Sequence, residues 1–345
     1  MSRRPKWSVV ALASAGAGVA ITSAIRLGGR HLRARTDAEL DDPLSPPTDV
    51  VHHHLATHDG GSLHVVDSQQ AGESSARPVV LMHGVTLQWW VWSAAIRLLR
   101  SEYRVLAWDM RGHGESKAGT DGATLEATAH DLELVIRELD LHDAVLVGHS
   151  MGGMTIGRFA AERHDLLHER VAGVVFVATS AAPLSQAAVL GGLVTLAGAA
   201  ARIARRTTTR PRWAYPWHEG DLSAVMLSAA FGKSPTARMI DDVRRMEVDM
   251  ASQEMAEAAA SIATHDVRDD LHRIDIPTVV LVGTHDKLTP PVHAREIADL
   301  IEGAELEMLP GIGHQIMQED PAAIVRAVDR VAAREPIGFA DGRLS

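Results

Sequence analysis

Short apolar runs rich in β-branched residues recur along this chain, and most are followed by a longer amphipathic stretch. PVVLMHG (78–84) precedes a helix near 89–100, YRVLAWD (103–109) one near 123–139, and AVLVGHS (144–150) one near 151–164. VAGVVFVAT (171–179) follows. Further on, PTVVLVG (277–283), a helix near 291–302, AELEMLP (304–310) and a helix near 320–333 resume the alternation. A strand whose successive residues are all apolar is buried on both faces, and helices between such strands serve as parallel crossovers. The expectation is a doubly wound, mostly parallel α/β sheet. Ahead of it, VVHHHLAT, a turn at Asp59-Gly60-Gly61, and SLHVVDS read as an antiparallel hairpin. Neighbouring strand residues face opposite ways, so His52, His53 and His54 do not converge on one metal ion and read as a solvated strand.

Residues 181–262 break the rhythm. They are Ala-rich, read as several helices, and form an all-helical cap inserted over the C-terminal edge of the sheet, where such folds keep their ligands. Ala181 to Ala201 is uncharged, but Pro183, Gln186 and Gly191-Gly192 favour a cap helix over a membrane span. The organisation expected is a leader and linker over 1–48, the sheet domain over 49–180 and 263–335, the cap over 181–262, and a tail over 336–345.

The chemistry is concentrated at VLVGHSMGG (145–153), a G-x-S-x-G pentapeptide with a strand before it and a helix after it. Glycines at 148 and 152 clear a turn too sharp for side chains and leave Ser150 exposed above the sheet in a strained backbone geometry. A serine hydroxyl becomes a nucleophile when a base takes its proton. Asp286 in GTHDKLTP follows the strand at 277–283, and His314 in GIGHQIMQEDP follows the strand at 304–310. Ser…Asp…His is the order this topology requires. The N–H groups of Met151 and of Val85, in the loop MHGVT, are the expected oxyanion donors, each worth roughly 3–4 kcal/mol in such a site.

The segment 50–335 resembles the α/β-hydrolase superfamily, in its cap-bearing branch of esterases and lipases. The match rests on His83-Gly84, DMRGHGES (109–116), GHSMGG (148–153), GTHDKLTP (283–290) and GIGH (311–314), all in order. The resemblance implies a structural role for Asp109 to Ser116 and a packing role for His149. Serine at 150 excludes the branches with an aspartate nucleophile, and Val85-Thr86 after His83-Gly84 excludes the HGGG type of oxyanion loop. The function expected is hydrolysis of carboxylic esters through an acyl-enzyme, with no metal and no organic cofactor. C–C bond hydrolysis and cofactor-free perhydrolysis (haloperoxidase-like) are the alternatives on the same motif set. A non-catalytic ligand receptor is the reading from outside enzymology.

Trp89, Trp90 and Trp92 after the oxyanion loop, with Trp213 and Trp217 in the cap, are candidate pocket residues. With aromatics at only 4% of the chain, their clustering carries information. Trp89, Trp90, Trp213 and Trp217 are the expected substrate contacts, and the apolar cap favours a lipid-like acyl group.

Residues 7–25 form an uncharged run flanked by basic residues, just long enough for an uncleaved membrane anchor. A cleaved export signal and a plain surface helix are its rivals, and arginines on both sides leave the orientation open. Asp37 to Asp49 reads as a linker. Arg202, Arg205, Arg206, Arg210 and Arg212 are a solvated cluster or a contact for anionic headgroups. The first 35 residues carry seven basic groups and no acid, so the rest is more acidic than the whole-chain charge of −10. That balance argues against a nucleic-acid partner. With no cysteine, thiolate chemistry and disulfides are excluded.

Overall fold

The computed structural model describes residues 27–29, 32, 44–69, 76–184, 225, 227–250 and 252–333. The run 7–25, the arginine cluster, Trp213 and Trp217 lie outside the described residues, as does the cap between 185 and 224. No helix among the described residues is long and apolar enough to cross a membrane.

Eight strands form one sheet in the order β1-β2-β4-β3-β5-β6-β7-β8. β1 (Val51–Ala56) and β2 (Ser62–Asp67) are the antiparallel hairpin, and β2 also runs antiparallel to β4. From β4 (Arg104–Trp108) through β3 (Pro78–Met82), β5 (Ala144–His149), β6 (Val171–Val177), β7 (Thr278–Gly283) and β8 (Glu305–Leu309), every pairing is parallel.

The strand sequences explain why the sheet is covered on both sides. In β3, Val79 and Leu81 enter one core while Val80 and Met82 enter the other. β7 divides likewise, with Val279 and Leu281 against Val280 and Val282. One face is closed by α2 (Leu125–Glu138), α3 (Met151–Glu162) and α7 (Pro291–Leu300). The other is closed by α1 (Ser93–Leu99) and α9 (Pro321–Ala332). Between α3 and β6 lies α4 (His164–Arg170), and between β8 and α9 the short α8 (Ile316–Glu319). Helix starts are set locally: Thr124 accepts from Ala127 N–H, and Asp320 accepts from Ala323 N–H ahead of Pro321 at the first turn.

Within the insertion, α5 (Ala237–Asp249) and α6 (Ser252–Thr264) are helical as expected, and α6 runs two residues past the boundary at 262. Both sit on the loops at the C-terminal sheet edge. Met246 Sδ accepts from Gln88 N–H at 3.4 Å, and Glu257 accepts from Ala123 N–H at 3.1 Å. The end of the expected linker is not free: Leu44 is buried, and Ser45 O accepts from Arg97.

The chain places β4 on one side of β3 and then β5 on the other. Open α/β sheets bind ligands outside the strand ends at such a reversal, here between β3 and β5.

Candidate active site

β5 ends at His149 and α3 begins at Met151, so one residue turns the chain from strand to helix. That residue, Ser150, has φ 50° and ψ −115°, in the left-handed half of backbone space that a side chain disfavours. Strained residues of this kind persist only where their surroundings fix them. Here Ser150 N–H donates to Val177 O at 3.0 Å, and the Ser150 carbonyl accepts from the Thr179 hydroxyl at 2.7 Å. A Cβ on Gly148 would stand 2.5 Å from Gly152 O, and one on Gly152 would stand 2.4 Å from Met82 O. Neither position tolerates any other residue without movement of backbone. Gly153 is equally confined, by the Thr179 side chain.

Asp286 and His314, expected on two later strand ends, meet. His314 Nδ1 lies 2.9 Å from Asp286 Oδ2, with both side chains buried. A carboxylate only accepts, so Nδ1 carries a proton, and in the neutral ring Nε2 is then the acceptor. Asp286 is fixed by three more donors. Oδ1 accepts Leu288 N–H at 2.8 Å and Thr289 N–H at 2.9 Å, and Oδ2 accepts the Thr289 hydroxyl at 2.8 Å. Burial pushes the Asp286 carboxyl up. The His314 ring and the Thr289 bonds outweigh it and hold the group below the usual carboxylate range. Thr289 Oγ1 also stands 3.1 Å from His314 Nδ1, a bridging role the sequence does not announce.

The turn at Ser150 and the His314 loop are joined by His149. Its Nε2–H donates to His314 O at 3.1 Å, and the two rings lie 4.6 Å apart. Burial, then the neighbouring His314, keeps His149 neutral, with its pKa well below the ordinary value.

The loop after β3 closes the other side. A Cβ on Gly84 would sit 3.0 Å from Ser150 Cβ, so this loop lies directly against the serine. The N–H groups of Val85 and Met151 have no protein acceptor among the described residues. The loop is held from behind by the segment 109–116. His83 Nδ1–H donates to Gly84 O at 2.7 Å while its Nε2 accepts from Met110 N–H at 2.9 Å. His113 Nε2 accepts from Thr86 N–H at 3.0 Å. Asp109 accepts from Trp89 N–H, Glu115 N–H and His64 Nδ1 at 2.9, 3.1 and 2.9 Å. Burial keeps both loop histidines uncharged, His113 with a pKa of about 3.

The candidate pocket tryptophans separate. Trp89 is buried, edge-on to His52 and His64, between the loop and the hairpin. Trp90 is partly buried and donates Nε1–H to Gln88 Oε1 at 2.8 Å. The histidine triplet lies on a solvated strand as expected, with His52 and His54 exposed, but two of its rings also have partners. His52 and His54 both stack on the wholly buried His64, while His53 approaches Asp67 on the opposite face. The hairpin register, which pairs His54 with His64, is the signal that could have found this.

Comparison with known proteins agrees with the architecture. The chain is 29% identical over 259 residues to a non-heme haloperoxidase of Rhodococcus erythropolis, covering 70% of this chain and 86% of that protein. It is 26% identical over 259 residues to an sn-1-specific diacylglycerol lipase of Mus musculus, covering 74% and 81%. Among solved structures, a thermophilic esterase from Thermogutta terrifontis superposes with a TM-score of 0.64 at 28% identity, covering 81% of this chain and 96% of the other. The family profile for the alpha/beta hydrolase fold matches residues 77–321, from β3 into α9. The chain is therefore a member of the α/β-hydrolase superfamily, and a hydrolase fold carries its candidate site.

Proposed function

We propose that the protein hydrolyses carboxylic esters through Ser150, Asp286 and His314. The observation that carries this reading is the 2.9 Å His314 Nδ1 to Asp286 Oδ2 contact, beside a serine held at φ 50° between strand and helix. In the mechanism, His314 Nε2 takes the Ser150 proton as Oγ attacks the ester carbonyl. The N–H groups of Val85 and Met151 receive the oxyanion, and the imidazolium is stabilised by Asp286. His314 then protonates the leaving alcohol, and water attacks the acyl-enzyme with His314 again as base. An apolar, lipid-like acyl group is favoured by the Ala-rich cap sequence and by likeness to a diacylglycerol lipase. The run 7–25 would place such an enzyme at a membrane surface.

Likeness to a non-heme haloperoxidase supports a second reading on the same residues. Hydrogen peroxide in place of water would attack the acyl-enzyme and release a peracid. The test is turnover of p-nitrophenyl esters of increasing chain length, beside a peracid assay with acetate and peroxide. Ser150→Ala is expected to lower ester turnover by several orders of magnitude and to abolish labelling by a fluorophosphonate. Retention of most activity sinks the assignment, and turnover found only in the peracid assay favours the second reading.

A further inference from the structure

The segment of the insertion just before α5 is bonded to the loop that carries His314. Lys233 N–H donates to Gly311 O at 3.0 Å, and His314 N–H donates to Ala230 O at 2.7 Å. The two backbones run so close that a Cβ on Gly232 would stand 2.0 Å from Gly311 O. One on Gly313 would stand 2.3 Å from the Phe231 carbonyl carbon. Across this seam lies a carboxylate the proposed mechanism does not use. Glu319, on α8, accepts Gly232 N–H through Oε2 at 2.8 Å and Gly313 N–H through Oε1 at 2.9 Å.

We infer that Glu319 is a positioning residue for His314, clamping the cap segment 230–233 onto the His314 loop so that seating of the cap and alignment of the base are coupled. The inference rests on the role proposed above for His314. The two Glu319 oxygens serve one donor on each side of the seam, so either backbone moving alone strands a partly buried N–H. The charged and titratable groups facing it are Asp286 and His314 from the core loops. Asp320 beside it caps α9 instead. Burial raises the Glu319 carboxyl to about 7 against the pull of its two N–H donors, and Asp286 adds to the rise. The clamp therefore loses its charge as the pH falls through about 7.

Glu319→Gln keeps the shape, but an amide offers one acceptor oxygen, so one N–H faces a donor. The expected result is a kcat about tenfold lower with KM changed less than twofold, measured on an ester whose turnover needs Ser150. The His314 ring resonances, followed by NMR from pH 5 to 9 in the full-length protein, are expected to show two inflections, one reporting Glu319. Glu319→Gln should leave one. A purely structural anchor would lower the melting temperature and leave both readouts unmoved. The inference is overturned by an unchanged kcat or by identical titration curves. Should the variant fail to fold, a single inflection in the wild type overturns it alone. Absence of Ser150-dependent turnover would defeat the proposed function, and the NMR comparison would still decide this one.

Discussion

Replacing Asp286 by Asn tests the tautomer on which the proposed mechanism depends. Asp286 receives two N–H donors on Oδ1, from Leu288 and Thr289. An asparagine amide group turned toward them would set donors against donors, so its carbonyl oxygen must occupy that position. The NH2 group then falls where Oδ2 now stands, 2.9 Å from His314 Nδ1 and 2.8 Å from the Thr289 hydroxyl. The hydroxyl rotates to accept. The ring cannot rotate its proton away, so Nδ1 must become the acceptor and the proton moves to Nε2. A base protonated on Nε2 cannot take the Ser150 proton. The loss expected is about 10⁴ in kcat, as for the equivalent change in triad enzymes, or about 5.4 kcal/mol at 1.36 kcal/mol per decade. The assay is steady-state hydrolysis of p-nitrophenyl butyrate at pH 7.5, with KM expected within threefold of wild type. A variant within tenfold of wild-type kcat refutes the tautomer argument, since the hydrogen-bond pattern leaves the amide no other orientation.

Acid stability should carry the signature of the buried neutral histidines. The folded His113 pKa of about 3 lies below its ordinary 6.5, so the unfolded chain binds more protons between those values. Its contribution is complete above about pH 6.5 and falls by roughly 1.4 kcal/mol for each pH unit below. The raised carboxyl of Glu319 runs the other way between its unfolded value and 7. The informative comparison is therefore His113→Gln, whose melting temperature should decline less steeply from pH 6.5 to 4.5; parallel slopes would refute it. The run 7–25 should carry the full chain into the membrane fraction, while a chain starting at Asp42, which keeps the buried Leu44, should remain in the supernatant. Equal partition of both would defeat the anchor.

The parallel sheet is legible in the sequence because burial on both faces leaves no polar alternation: every residue of PVVLM in β3 is buried. The turn at Ser150 is legible for a similar reason, since backbone lies against Gly148 and Gly152. The Asp286 and His314 positions follow from strand order. Thr289 and Glu319 are not legible in this way. A threonine in a loop or a glutamate on a short helix has many uses, and theirs depend on partners reached only after folding, His314 at 25 positions and Gly232 at 87. The loop histidines show the same limit. His83 and His113 carry family motifs, but their work is set by pairings with Met110 and Thr86, each 27 residues away.

These pairings also explain why the neighbourhood of Ser150 is rich in histidine yet carries little charge on it. His83 and His113 each accept a backbone N–H on Nε2 and donate from Nδ1 to a carbonyl. A proton added to Nε2 would face another donor in a buried site, which burial already penalises. His149 is held neutral as well, and its bond to His314 O uses the one nitrogen that is protonated. His83 and His113 thus act as rigid two-ended connectors between loops, and His149 ties the Ser150 turn to the His314 loop through Nε2. His314 differs in one respect: its Nδ1 proton points at a carboxylate. A positive charge formed on that ring meets Asp286 at 2.9 Å, whereas on His83 and His113 it would meet an N–H. The residue expected to ionise during turnover is therefore the one whose surroundings are built to receive the charge.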